Sequence, residues 1–161
     1  MPKVIVNSTP IISLSIIEQL DLLSKLYDQV FIPRAVYEEV CMEGESRIGA
    51  KSLKSADFFH IVSIKNSEAR QFLSTSLHKG EIEVMILAKE LEADLIIIDD
   101  YQARKHAKFL GLKITGTLGI LLKAKKKNLI ENIKPFLDTL IKNDIYIGKK
   151  LYQKIIELSK E

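Results

Sequence analysis

The sequence predicts an α/β domain built on a mostly parallel central sheet. Three observations carry that expectation: short β-branched runs recur along the chain, longer amphipathic segments separate them, and the run "LIII" at residues 95–98 is apolar at every position. Strands alternating with helical patterns belong to α/β architectures, and a strand apolar on both faces is one covered by helices on both sides.

Taken in order, the expected strands cover residues 4–6, 30–32, 61–64, 95–98 and 113–115. The first leads into "PIISLSIIEQLDLLSKL", whose apolar residues fall three or four apart as a helix requires. Thr9 is placed to cap that helix with Pro10 at its first position, and Pro33 opens "PRAVYEEVCME" in the same way. The stretch "MEGESRIGAKS", residues 42–52, has two glycines and mixed charge and reads as a loop. "EIEVMILAKEL" is again helical, as is the segment from Tyr101 to the stop at Gly111. "NLIENIKPFLDTLIKN" and "KKLYQKIIELSK" each carry an apolar stripe, so residues 131–161 are expected as C-terminal helices packed on one domain spanning residues 1–161.

The length suffices to bury a core without covalent staples. The single cysteine, Cys41, excludes an internal disulfide framework, and no apolar run approaches the length of a membrane span. With no secretory pattern in "MPKVIVNSTP", a cytoplasmic protein is expected. Net charge of +3 hides an asymmetry: residues 1–100 hold 10 Lys and Arg against 16 Asp and Glu, residues 101–161 hold 14 against 5. An acidic site beside a basic surface suits a polyanion handled through metal ions; lysines that merely solvate the C-terminal helices give the same count.

Ligands of open α/β sheets bind beyond the carboxyl ends of the strands. Asn7 follows the first strand there, Asp99 and Asp100 follow the fourth, and Glu39 and Glu81 lie on helices entered nearby. Carboxylates gathered from such distant positions repel one another unless a cation joins them, and oxygen donors favour Mg2+ or Mn2+. Each acid also has a structural use: Asp100 as a helix cap, Glu81 as a first-turn carboxylate on the helix dipole, and Glu38 with Glu39 as a solvated face. No phosphate loop and no dinucleotide-binding glycine motif is present, and His60, His78, His106 and Cys41 lack zinc-ligand spacing.

Four stretches in order carry a resemblance: "VNSTPIISL", "IPRAVYEEV", "HKGEIEVMILAKELEADLIIIDDYQARKHAKFLGL" and "ITGTLGILLKAKKKNLI". Together they resemble the PIN-domain superfamily, which includes metal-dependent ribonucleases and VapC-type toxins, and within it a prokaryotic PIN-like group of predicted nucleic-acid-binding proteins. The resemblance implies a three-layer α/β/α fold with a mostly parallel sheet of four to five strands. It implies a divalent-metal-dependent ribonuclease, toxin-like, with Asn7, Glu39, Glu81 and Asp100 catalytic and holding Mg2+ or Mn2+, and Asp99 as an adjacent candidate ligand. RNA would be held by Arg104, Lys105, Lys108, Thr117 and Lys123. A small antitoxin-like protein and a second copy of the chain are the implied protein partners. The sequence departs from the family pattern at Asn7, where nuclease members usually carry aspartate, and at Glu81, which is one methylene longer than the usual residue. The alternative is a non-catalytic nucleic-acid-binding protein with a weakened metal site.

Overall fold

A computed structural model describes residues 2–43, 47–72 and 77–161. Among the described residues five parallel strands form one sheet: β1 (Lys3–Val6), β2 (Gln29–Pro33), β3 (Phe59–Val62), β4 (Leu95–Ile97) and β5 (Ile114–Thr115). Their spatial order is β3-β2-β1-β4-β5. The chain therefore moves outward from β1 to β3, returns across the sheet, and moves outward the other way from β4 to β5. Right-handed crossovers put connections that run in opposite directions on opposite faces, which yields the three-layer α/β/α arrangement.

The helices among the described residues are α1 (Ser8–Ile16), α2 (Leu22–Leu26), α3 (Arg34–Glu38), α4 (Arg47–Ser55), α5 (Lys79–Glu90), α6 (Tyr101–Phe109), α7 (Thr117–Lys126), α8 (Lys134–Lys142) and α9 (Lys149–Leu158). One group packs around α1, which touches α4, α7 and α8; on the other side α5 packs on β1, β2 and α3. Between the layers Val4, Ile5, Val6, Ile96, Ile97 and Ile98 are almost wholly shielded from water. Burial on both faces is why these two central strands carry no alternating polar positions.

Several local expectations shift. The first helical pattern divides in two, because Glu18 adopts a left-handed φ of 56° that stops α1 before α2 begins. Asn7, rather than Thr9, occupies the cap position of α1, and its side chain makes no cap bond. The described residues of the glycine-containing stretch 42–52 are helical and not a loop: Glu39–Glu43 continues α3 as a π-helical turn and α4 runs over Arg47–Ser55, while residues 44–46 lie outside the described residues. Charge and glycine content disguised α4, whose apolar positions Ile48 and Leu53 are few. Gly111 ends α6 with φ 75°, as its position after the helix required.

Residues 131–161 are tied to the remainder by α8 against α1 and α9 against α7. The Glu161 side chain reinforces this, accepting from Lys125 Nζ at 2.8 Å, the Ile133 N–H at 2.7 Å and the Lys134 N–H at 3.0 Å. No described helix is long and apolar enough to cross a membrane.

Candidate functional site

The reversal of direction between β1 and β4 opens a crevice at the carboxyl edge of the sheet, where open α/β folds place their ligands. Val6 pairs with Ile97, and the Asn7 N–H donates to the Ile97 carbonyl at 2.9 Å, so the two strands carry Asn7 and the segment Ile98–Asp100 side by side out of the sheet. Asn7 is 2 % exposed, and its Oδ1 is buried with no hydrogen-bond partner. A buried amide oxygen left without a donor would cost on the order of 1–3 kcal/mol, so the position calls for a partner from outside the chain, a water or a cation.

Glu81 opens toward the same edge from the first turn of α5. It is 5 % exposed, and its Oε1 accepts from the His78 N–H at 2.9 Å, a reciprocal cap that fixes the carboxylate's direction. Burial raises its pKa above the ordinary 4.5; the His78 N–H works against that, and the Asp100 carboxylate in contact with it adds to the rise. Asp100 itself caps α6, Oδ1 accepting from the Ala103 N–H at 2.9 Å. Asp100 thus caps a helix and also neighbours a second carboxylate.

Glu39 reaches the neighbourhood by another route. Its Oε2 accepts from Ser8 Oγ at 2.6 Å, and both carboxylate oxygens lie against Gly80, where a Cβ would come within 2.7 Å of Oε2 and 3.0 Å of Oε1. A side chain at position 80 would force the Glu39 carboxylate to shift from this place. Among the described residues no group of three or more His, Cys, Asp or Glu is gathered so as to hold a metal ion. The donors that meet are therefore the Glu81–Asp100 pair, while Glu39 faces Ser8 one residue along. This all-oxygen set, with an unpartnered amide oxygen and two carboxylates in mutual contact, has the donor chemistry of a hard divalent cation.

Asp99 serves a different end. Its Oδ1 accepts from the Thr117 N–H at 2.8 Å and its Oδ2 from the Thr117 hydroxyl at 2.6 Å, so both oxygens are spent fastening the amino end of α7. A Cβ on Gly116 would stand 2.6 Å from Asp99 Oδ1 and 2.9 Å from Arg104 Nη1, so this glycine is what admits both side chains. Arg104 Nη1 also donates to the Ile98 carbonyl at 3.2 Å, which holds the guanidinium beside the crevice.

The expected RNA contacts divide accordingly. Arg104, with exposed Lys105 and Lys108, lies on the helix that leaves the acids. Thr117 is buried at 4 % exposure and gives its N–H and hydroxyl to Asp99, so neither donor faces outward. Lys123 sits over the Tyr27 ring, 4.4 Å from its centroid, and Tyr27 precedes β2 at the amino edge of the sheet, opposite the crevice. Its cation is engaged by an aromatic face away from the acids.

Ser8 and His78 hold the candidate side chains Glu39 and Glu81, and Gly116 makes room for Asp99 and Arg104; none of the three is among the site residues expected from the sequence. The "HKGE" tetrapeptide was a usable signal, since an acid three residues after a helix cap forms a reciprocal cap. Glu83 is also buried, with Oε1 accepting from the Ala35 N–H at 3.2 Å, so this second acid of α5 supports the start of α3.

A comparison with curated proteins gives no match. The sequence profile of the DUF3368 family, described as a PIN domain, matches residues 3–161. With its parallel sheet, its switch-point crevice and a match over nearly its whole length, the chain belongs to the PIN-domain family.

Proposed function

We propose that the chain is a divalent-metal-dependent ribonuclease of PIN type that hydrolyses RNA phosphodiesters. Membership of the PIN family points to nuclease-type function, RNA as the ligand and divalent-metal dependence. The observation that carries the reading is the Glu81–Asp100 contact at the switch-point crevice. Two carboxylates held together, one of them buried, oppose folding and are a signature of sites shaped by function.

Asn7, Glu39, Glu81 and Asp100 would hold Mg2+ or Mn2+, which when bound lowers the pKa of a water and offsets charge on the departing oxygen. The chain's own part is to aim the donors. The His78 N–H fixes Glu81, the Ala103 N–H fixes Asp100 and the Ser8 hydroxyl fixes Glu39, each taking one oxygen. Arg104, Lys105 and Lys108 would bind the RNA backbone with little sequence information and with affinity that falls as salt rises. A toxin-like role in the cytoplasm, with a small antitoxin-like protein and a second copy of the chain as partners, completes the proposal.

One observation favours a second reading. Asn7 brings no charge, and among the described residues no third acid joins the pair. A non-catalytic PIN-like nucleic-acid-binding protein with a weakened metal site fits that arrangement. Incubating the purified protein with labelled single-stranded and structured RNA, in Mn2+, Mg2+ or chelator, separates the two. Cleavage that requires metal supports the ribonuclease; salt-sensitive retention of intact RNA under every condition replaces it with the binding protein.

A further inference from the structure

We propose that the cleft between α1, α7 and the loop joining α8 to α9 is a nucleobase pocket that prefers guanine; it rests on the ribonuclease reading only in taking its ligand from single-stranded RNA. The cleft has a volume of about 350 Å3, and its walls include Asp99, Leu118, Leu140, Asp144, Tyr146 and Leu151. Asp99 joins it to the crevice, because the next residue in the chain is Asp100. A nucleotide next to the scissile phosphate therefore has this cleft within reach.

The chemistry of the walls matches a base. Leu118, Leu140 and Leu151 supply an apolar floor for a flat ring. Tyr146 is 91 % exposed, so its ring contributes almost nothing to the core. It lies over Gly148, where a Cβ would meet the phenol oxygen at 3.7 Å, leaving the ring's outer face to solvent. An aromatic ring free on one face beside an apolar cleft is the platform on which unpaired bases stack.

Asp144 supplies the preference. Its backbone is pinned by its N–H to the Ile141 carbonyl at 3.1 Å and by the Ile145 N–H to the Leu140 carbonyl at 3.0 Å, with a left-handed φ of 64° between them. A carboxylate offers acceptors only. Guanine presents two adjacent donors, N1–H and the exocyclic amine, that a carboxylate can take together. Uracil presents one N–H flanked by two carbonyls, which a carboxylate repels. The first turn of α9 borders the cleft through Leu151; its cap residue Gly148 gives no side chain to the first N–H groups and it begins with exposed Lys149 and Lys150, donors suited to the phosphate of the same nucleotide.

The full-length protein in chelator, where no cleavage intrudes, is titrated with GMP, AMP, CMP and UMP, followed by tyrosine emission, which no tryptophan masks. Labelled single-stranded oligomers followed by anisotropy provide the second arm. GMP is expected to bind about tenfold tighter than UMP. Tyr146→Ala should weaken both GMP and oligomer binding by about tenfold, the scale of one stacked base, while Tyr146→Phe retains it. Asp144→Asn should leave binding but abolish the preference for guanine. Equal affinity for all four nucleotides, no nucleotide binding at millimolar concentration, or unchanged binding by Tyr146→Ala would overturn the pocket. Any of those results in a chain that cleaves RNA leaves the ribonuclease reading standing. Tyr146-dependent GMP binding in a chain that cleaves nothing keeps the pocket and retires that reading.

Discussion

Burial pushes the pKa of both Glu81 and Glu161 upward, yet the two carboxylates end on opposite sides of the ordinary 4.5. Burial raises the Glu81 pKa, its one supporting N–H comes from His78, and its neighbour is another acid. Burial also works against the charge on Glu161, yet the Lys125 ammonium, two backbone N–H groups and Ser159 outweigh it and hold its pKa at about 2. The difference lies in the donors. A carboxylate given a cation and backbone amides becomes a structural clamp between α7, α8 and the chain end; one given a single N–H and an acidic neighbour is pushed toward its neutral form.

The largest effect expected from breaking this contrast is on activity. Asp100→Asn removes the second charge while keeping a good helix cap, so RNA cleavage in Mn2+ should fall by about 100-fold or more, with the far-ultraviolet circular dichroism unchanged. Unaltered turnover would detach the Glu81–Asp100 pair from catalysis. Gly80→Ala should lower cleavage by about tenfold, because the new Cβ displaces the Glu39 carboxylate from Ser8. Stability should hold or rise by up to ~1 kcal/mol, since alanine is the better helix residue and a flexible side chain yields cheaply. A variant that unfolds instead would show that Gly80 is required by backbone and not by Glu39.

Glu161→Gln tests the other carboxylate. It should cost about 1 kcal/mol, a fall of roughly 2–4 °C in Tm for a chain of this size, with no change in cleavage. Because the folded pKa is depressed, the stabilisation from Glu161 is fully present above its ordinary 4.5 and is lost as pH falls through about 2. Urea midpoints of wild type and variant should therefore converge over that window. The smallest effect is the opposite one. The folded pKa of Glu81 is raised, so its contribution is present below 4.5 and is lost as pH rises through the folded value. Glu81→Gln should remove that loss and raise Tm slightly at neutral pH while cleavage drops. A lower Tm at pH 7 would mean that Glu81 acts as a structural clamp like Glu161.

Much of the fold was legible because local signals are enough for it. The five strand segments each overlap an expected run, although β3 begins two residues earlier, with Phe59 and His60 pairing to β2. The α4 helix was hidden because glycine and charge speak for a loop wherever tertiary contact with α1 is unknown. Asp100, Glu81 and Glu39 were recognisable as candidates from their places after a strand or on adjoining helices. The role of Asp99 was not, because its partner Thr117 is 18 residues away and both its oxygens could equally have faced an ion. Thr117 and Lys123 illustrate the same limit. A threonine near a helix start and a lysine in a basic run look available for phosphate until a carboxylate and an aromatic ring claim them.

The sequence by itself determined the strand–helix alternation, the stop at Gly111 and the arrival of acids at the strand ends, since hydrophobic period, cap residues and φ preferences act within a few neighbouring residues. Only the tertiary structure decided which acid received donors and which was left with another acid beside it. Whether a carboxylate is clamped or left short of donors depends on hydroxyls, N–H groups and cations delivered by elements far along the chain, such as the Ser8 hydroxyl to Glu39 across 31 residues and the Lys125 ammonium to Glu161 across 36. Electrostatic character is set by those three-dimensional neighbours and not by the residue type.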